Sequence, residues 1–184
     1  MAVGMSPSLL SLIRFRFSVT VAASLGFILV GYNKFPFELP IMNSVSERLI
    51  FTIRCQLFGA LTILMGIHGV GKIHGVGKIR GMSDAASDPV YGNGEHLVYL
   101  PKRILQNTVE QFVFHFIGQL ALCTYLSPEA MKLIPVLVAL FVIARIIFKI
   151  TYQIDAMLRI YGSMSTFIPT VGVYGYCLYC FLTQ

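Results

Sequence analysis

Arg103, Asn107 and Glu110 stand four and three residues apart, a spacing that puts their side chains on one face of an α-helix. Arg145, Lys149 and Tyr152 repeat that spacing, and Arg159 follows shortly after. All seven lie in or beside hydrophobic stretches, where an ionisable side chain is expensive and normally faces a protein interior or a wet cavity. Two kinds of chemistry suit such a set. One is an ion-pair network that fixes how helices pack. The other is a polar pocket, entered from the cytoplasm, for an anionic or zwitterionic ligand. Spacing leaves both open, and the cations Arg103, Arg145, Lys149 and Arg159 against Glu110 and Asp155 lean towards an anion.

The elements that must position these residues are membrane helices. A spanning helix needs about 20 apolar residues, and five stretches qualify: Phe15–Tyr32, Leu49–Val70, Gln106–Leu126, Leu133–Ile154 and Tyr161–Leu182. The first follows Arg14 and Arg16, but Gly31–Pro40 offers no small-residue cleavage pattern, so it reads as an uncleaved anchor rather than a signal peptide. Pro169 interrupts the last stretch. With a rise of about 1.5 Å per residue, Glu110 lies about 10 Å from Arg103 and Arg145 about 15 Å from Asp155. Glu110 and Arg145 are therefore expected at similar levels, where each would offset the other's desolvation. Arg54 enters from the opposite side and is expected to stay out of this cluster.

Composition agrees with a bilayer protein. The 184 residues are 56% hydrophobic and 12% charged, too few polar groups to cover a soluble core. Helices satisfy their own backbone hydrogen bonds in lipid. The net charge of +6 needs no nucleic acid, because basic residues accumulate on the cytoplasmic flanks of membrane segments. Five crossings would place Arg14, Arg16, Lys72, Lys78, Arg80, Lys102, Arg103, Lys149 and Arg159 on one side. That side is expected to be cytoplasmic, with the N-terminus there and the C-terminus opposite.

Other motifs carry less. The segment 71–101 reads as a polar cytoplasmic loop with a direct repeat, HGVGKI at His68–Ile73 and His74–Ile79. It fails the phosphate-loop pattern: Lys72 stands where the first glycine is needed, and Ile79 replaces the Ser or Thr. Cys55, Cys123, Cys177 and Cys180 all lie in apolar runs and read as buried thiols, with no metal site assigned. His115 and Gln119 read as interhelical hydrogen-bonding groups rather than catalysts.

The polar set resembles the MAPEG superfamily, membrane-associated proteins in eicosanoid and glutathione metabolism. Its enzymes carry Arg-x3-Asn-x2-Glu at a helix start, matched by Arg103, Asn107 and Glu110. An Ala-Arg in the next helix, an aromatic three residues on and a tyrosine four beyond that are matched by Ala144-Arg145, Phe148 and Tyr152. An arginine opening the last helix is matched by Arg159. The similarity covers Leu49–Gln184, with its motifs in Arg103–Gly162. Residues 1–48, with the first apolar stretch, read as an N-terminal transmembrane anchor and loop outside that similarity. The resemblance implies residues 49–184 as an all-α, four-helix membrane domain assembling as a homotrimer.

It further implies glutathione bound between subunits by Arg103, Asn107, Glu110, Arg145 and Tyr152. Arg159 would stabilise the thiolate, since a neighbouring cation lowers a thiol's pKa and the thiolate is the nucleophile. The chain also departs from the enzymes. Gln111 replaces a frequent tyrosine, Phe148 lacks a hydroxyl that is often present, Leu105 replaces a glutamine, and one N-terminal helix is extra. Five helices with Glu110-Gln111 and Leu137–Phe148 resemble the mattrin-like branch. That branch is linked to endomembrane trafficking and control of membrane receptors rather than to established catalysis. Two functions follow: a non-enzymatic membrane protein of that kind, or a glutathione-dependent transferase or peroxidase acting on lipophilic electrophiles.

Overall fold

The computed structural model describes residues 7–71 and 95–183, which fold almost entirely as helix. Helix α1 is Pro7–Asn33 and α2 is Val45–Gly71. Helix α3 is Glu95–Tyr125, followed by a short 3₁₀ turn at Pro128–Lys132. Helices α4, Leu133–Ile154, and α5, Ile160–Thr183, complete the chain. The second HGVGKI copy lies outside the described residues, as does the rest of the expected loop up to position 94.

Local chemistry sets these boundaries. Helix α2 starts earlier than its apolar run because Ser44 and Glu47 form a capping box. The Glu47 N–H donates to Ser44 Oγ at 3.2 Å, and the Ser44 N–H donates to a Glu47 carboxylate oxygen at 3.0 Å. Each side chain thus satisfies a donor that the first turn leaves unpaired. The expectation that the loop runs to Pro101 is corrected: α3 begins at Glu95 and passes through Pro101. Its first turns hold only the short apolar run Leu97–Leu100, closed by Pro101 and followed by Lys102 and Arg103, so no long apolar period announces them. Helix α4 ends at Asp155, whose backbone turns extended. The Asp155 carboxylate accepts the Met157 N–H at 2.9 Å and its carbonyl accepts the Leu158 N–H at 3.0 Å. Asp155 therefore builds the turn that presents Arg159 at the head of α5.

Helices α2 to α5 pack as a bundle, and α1 lies against α4 and α5. The α2–α3 pair runs antiparallel: Arg48 Nη1 donates to the Leu126 carbonyl at one end, and Gly66 packs on Leu105 at the other. Leu122, Cys123, Met131, Ile134, Leu137 and Cys177 form the core at the end away from Arg103. Outward faces are apolar, with Leu29, Val30, Leu57, Phe58, Phe181 and Leu182 exposed, as lipid contact requires.

Among the described residues, four segments are long and apolar enough to cross a membrane: Leu10–Asn33, Val45–Val70, Pro128–Ile154 and Ile160–Thr183. Helix α3 is long enough but not apolar enough, because Gln106, Asn107, Glu110, Gln111, His115 and Gln119 run along it. It is the polar member of the bundle, and most of the candidate chemistry hangs on it.

Candidate functional site

A cleft of about 580 Å³ opens where α3 begins, α4 ends and α5 starts. Arg103, Asn107 and Glu110 line it from α3, Phe148 and Tyr152 from α4, and Arg159 from the turn that leads into α5. The start of α3 and the later α4–α5 junction thus converge on one space.

Each charged side chain there has a neighbour. Arg159 Nη1 donates to the Tyr152 hydroxyl at 3.1 Å, with the guanidinium 5.2 Å from that ring. Arg103 Nε donates to the Tyr99 hydroxyl at 3.2 Å. Gln106 Nε2 donates to Glu110 Oε1 at 3.0 Å. Arg103, Glu110 and Arg159 are exposed to the cleft, whereas Asn107 and Tyr152 are half-buried.

Arg145 is different. It is only 2% exposed and sits behind the cleft wall. Its Nη1 donates to Asn107 Oδ1 at 3.0 Å and more weakly to the Asn107 carbonyl at 3.4 Å. Its guanidinium carbon lies 4.2 Å from the centre of the Phe148 ring, a cation–π contact that is stronger away from water. The expected Glu110–Arg145 pairing is therefore corrected. Arg145 bonds to Asn107, one turn nearer the start of α3, and Glu110 turns to Gln106.

Two other expectations shift. Lys149 shares a helix face with Arg145 by spacing, but its Nζ reaches the Met65 carbonyl of α2 at 3.1 Å and leaves the cleft. Asp155 serves the interhelical turn and does not line the cleft. Two arginines then face one carboxylate in the wall, a balance that favours an anionic or zwitterionic occupant. Arg54 is exposed on the outer face of α2, outside the cluster as expected.

The structure adds Tyr99, Gln106, Gln111 and Ser163 to the lining. Three of these stand four residues from a residue already singled out: Tyr99 before Arg103, Gln106 before Glu110, Ser163 after Arg159. Extending the helical spacing by one turn would have found them. Gln111 carries a further contact, accepting from Thr166 Oγ1 at 3.2 Å. Cys177 packs in the core and Cys180 is half-buried, both as free thiols.

A four-helix membrane bundle with this polar layer is the architecture expected for the MAPEG family, whose sequence profile matches residues 54–179. The chain belongs to that family. The matched span starts within α2 and ends within α5, so α1 lies outside it. The chain is similar to Transmembrane protein 79, or mattrin, of Bos taurus, with 31% identity over 143 residues, 78% of this chain and 34% of that protein. It is similar also to the Mus musculus protein of that name, with 29% identity over 151 residues, 81% of this chain and 36% of the relative. The chain thus spans about a third of the length of these curated relatives. No solved structure matches.

Proposed function

We propose that this protein works without catalysis, in endomembrane trafficking or in controlling membrane receptors, and that its cleft is a structural and ligand-sensing layer. The observation that carries this reading is that each charged side chain of the site already makes one internal hydrogen bond, with Arg145 Nε and Nη2 buried without a partner among the described residues. Arg159 is held by Tyr152, Arg103 by Tyr99, Glu110 by Gln106 and Arg145 by Asn107. Phe148 is buried against Arg145 and has no hydroxyl to offer a substrate. The N-terminus is assigned to the cytoplasm by the distribution of Lys and Arg.

A homotrimer belongs to this proposal. Arg54 is exposed on the outside of α2 within the apolar span Val45–Val70, flanked by Ile50, Ile53, Leu57 and Phe58. A lone arginine at that depth is costly against lipid, and a neighbouring subunit would cover it.

The second reading is a glutathione-dependent transferase or peroxidase. It is favoured by Arg159, which stands on the cleft wall beside the Tyr152 hydroxyl with guanidinium donors to spare. Glutathione would then be bound by Arg103, Asn107, Glu110 and Tyr152, with Arg145 fixing Asn107 from behind.

Calorimetric titration of the protein in lipid nanodiscs with glutathione, followed by turnover of an aryl chloride electrophile, tests both readings. Saturable binding weakened by Arg159→Ala and Arg145→Ala, without turnover, is expected for a sensing layer. Turnover lost in Arg159→Ala would establish the enzyme instead. Absence of saturable binding in well-folded protein would remove glutathione from both readings and leave the layer purely structural.

A further inference from the structure

Next to the cleft wall lies a small, half-enclosed pocket with room for about 10 Å³, at the lower limit for one water molecule. His115 and Gln119 of α3, Phe141 of α4, and Ser165, Thr166 and Pro169 of α5 are among its lining residues. His115 is 4% exposed and Gln119 1% exposed. Neither His115 Nε2 nor Gln119 Oε1 has a hydrogen-bond partner among the described residues. His115 is fixed by stacking on Phe141, with ring centres 4.6 Å apart.

A third polar group joins them. Pro169 lies inside α5 and has no N–H, so the Ser165 carbonyl one turn earlier loses its helical donor. The nearby threonines do not supply a substitute. Thr170 Oγ1 donates to the Thr166 carbonyl at 2.8 Å, and the single Thr166 hydroxyl proton is shared between the Ser163 carbonyl at 2.9 Å and Gln111 Oε1 at 3.2 Å. Gln111 also lines the cleft. The Gln111–Thr166 contact is therefore the partition between the open cleft and this inner cavity.

Buried polar groups left unpaired in a low-dielectric interior cost roughly 1–3 kcal/mol each. A site with several such groups around a water-sized space is where internal water binds. We propose that this cavity binds one water molecule, admitted from the cleft past the Gln111–Thr166 contact. Its two hydrogens are donated to Gln119 Oε1 and the Ser165 carbonyl, and it accepts a hydrogen bond from His115. That balance fixes the imidazole as the tautomer protonated at Nε2. Gln111, His115 and Gln119, each four residues apart, then form a polar line that carries water from the cleft towards the middle of the bundle.

Radiolytic footprinting in ¹⁸O-labelled water tests the site in the full chain in nanodiscs, because X-ray activation of a bound water labels the side chains around it. Phe141 is expected to take up ¹⁸O, while Met131, fully buried in the apolar core and chemically more reactive, is expected to stay unlabelled. The double variant His115→Leu/Gln119→Leu is expected to lose the Phe141 label. Thr166→Val, which removes the partition's hydrogen bond at nearly constant volume, is expected to speed exchange of the bound water. Unchanged exchange there would overturn the entry route. No label on Phe141 in the unaltered protein would overturn the site itself, whatever the variants do. Nitrogen-15 NMR gives an independent reading: His115 protonated at Nδ1 alone, with no cross-peak to water, would overturn the hydrogen-bond assignment.

Discussion

Gly162 is where α5 comes nearest to α4, and replacing it with alanine is the sharpest test of how the cleft is built. An ideal Cβ at that position would lie 2.4 Å from the Phe148 backbone nitrogen, 2.5 Å from the Ala144 carbonyl oxygen and 2.5 Å from Phe148 Cβ. Carbon prefers roughly 3.5–4.0 Å from such atoms, so α5 would have to retreat by about 1 Å. No flexible side chain can give way, because two of the three contacts are backbone. Overpacking typically costs about 1–3 kcal/mol, and a contact between two helix backbones belongs at the upper end, about 3 kcal/mol. The retreat would also carry Arg159 and Ser163 away from Tyr152, since both stand at or beside the first turn of α5. The assay is reversible unfolding in mixed micelles, followed by helical circular dichroism because the chain has no tryptophan. Gly172→Ala and Gly175→Ala on the same helix are the controls, as a Cβ at either position meets nothing within 4 Å. They are expected within about 0.5 kcal/mol of the parent. If Gly162→Ala unfolds with these controls, the close α4–α5 contact is wrong, and with it the seating of Arg159.

Three further outcomes follow from the same geometry. Asn107→Leu removes the hydrogen-bond acceptor of the buried Arg145 and is expected to cost about 1.5–3 kcal/mol. Adding Arg145→Met should recover much of that, since a buried charge is more harmful alone than absent, and an additive double-mutant cycle would disprove the coupling. Ser44→Ala dismantles the capping box of α2 and is expected to lower stability by about 1 kcal/mol, measured by the same unfolding assay. Gly69→Leu places its side chain in open space beside Lys149 and is expected to leave unfolding within about 0.5 kcal/mol of the parent, whereas Gly66→Leu, with a Cβ 2.8 Å from Leu105, should be clearly destabilising.

Much of the architecture was legible from hydrophobic run length. The expected bounds of α4 match the structure, because an apolar stretch in a membrane protein has few alternatives to helix. The chain is less readable where a helix continues through a proline. The start of α3 from Glu95 to Pro101 falls in a stretch read as loop, because Pro101, Lys102 and Arg103 cut the short apolar run Leu97–Leu100 off from the longer one that follows. Pro169 sits inside α5 without ending it, since a transmembrane helix tolerates proline more readily than a soluble one.

The sequence by itself determined that Arg103, Asn107 and Glu110 share one helix face and that Arg145 and Tyr152 share another, because helical spacing is local geometry. It also determined family membership, because those spacings and the matched span are properties of the chain order. Only the tertiary structure decided which of these groups meet. Arg145 bonds Asn107 rather than Glu110, Lys149 leaves for the α2 backbone, and Asp155 becomes a turn residue. The rotation of one helix against another selects each partner, and rotation is set by side-chain packing across the interface. The close seat of Gly162 on α4 is one such contact, and no spacing along a single helix encodes it.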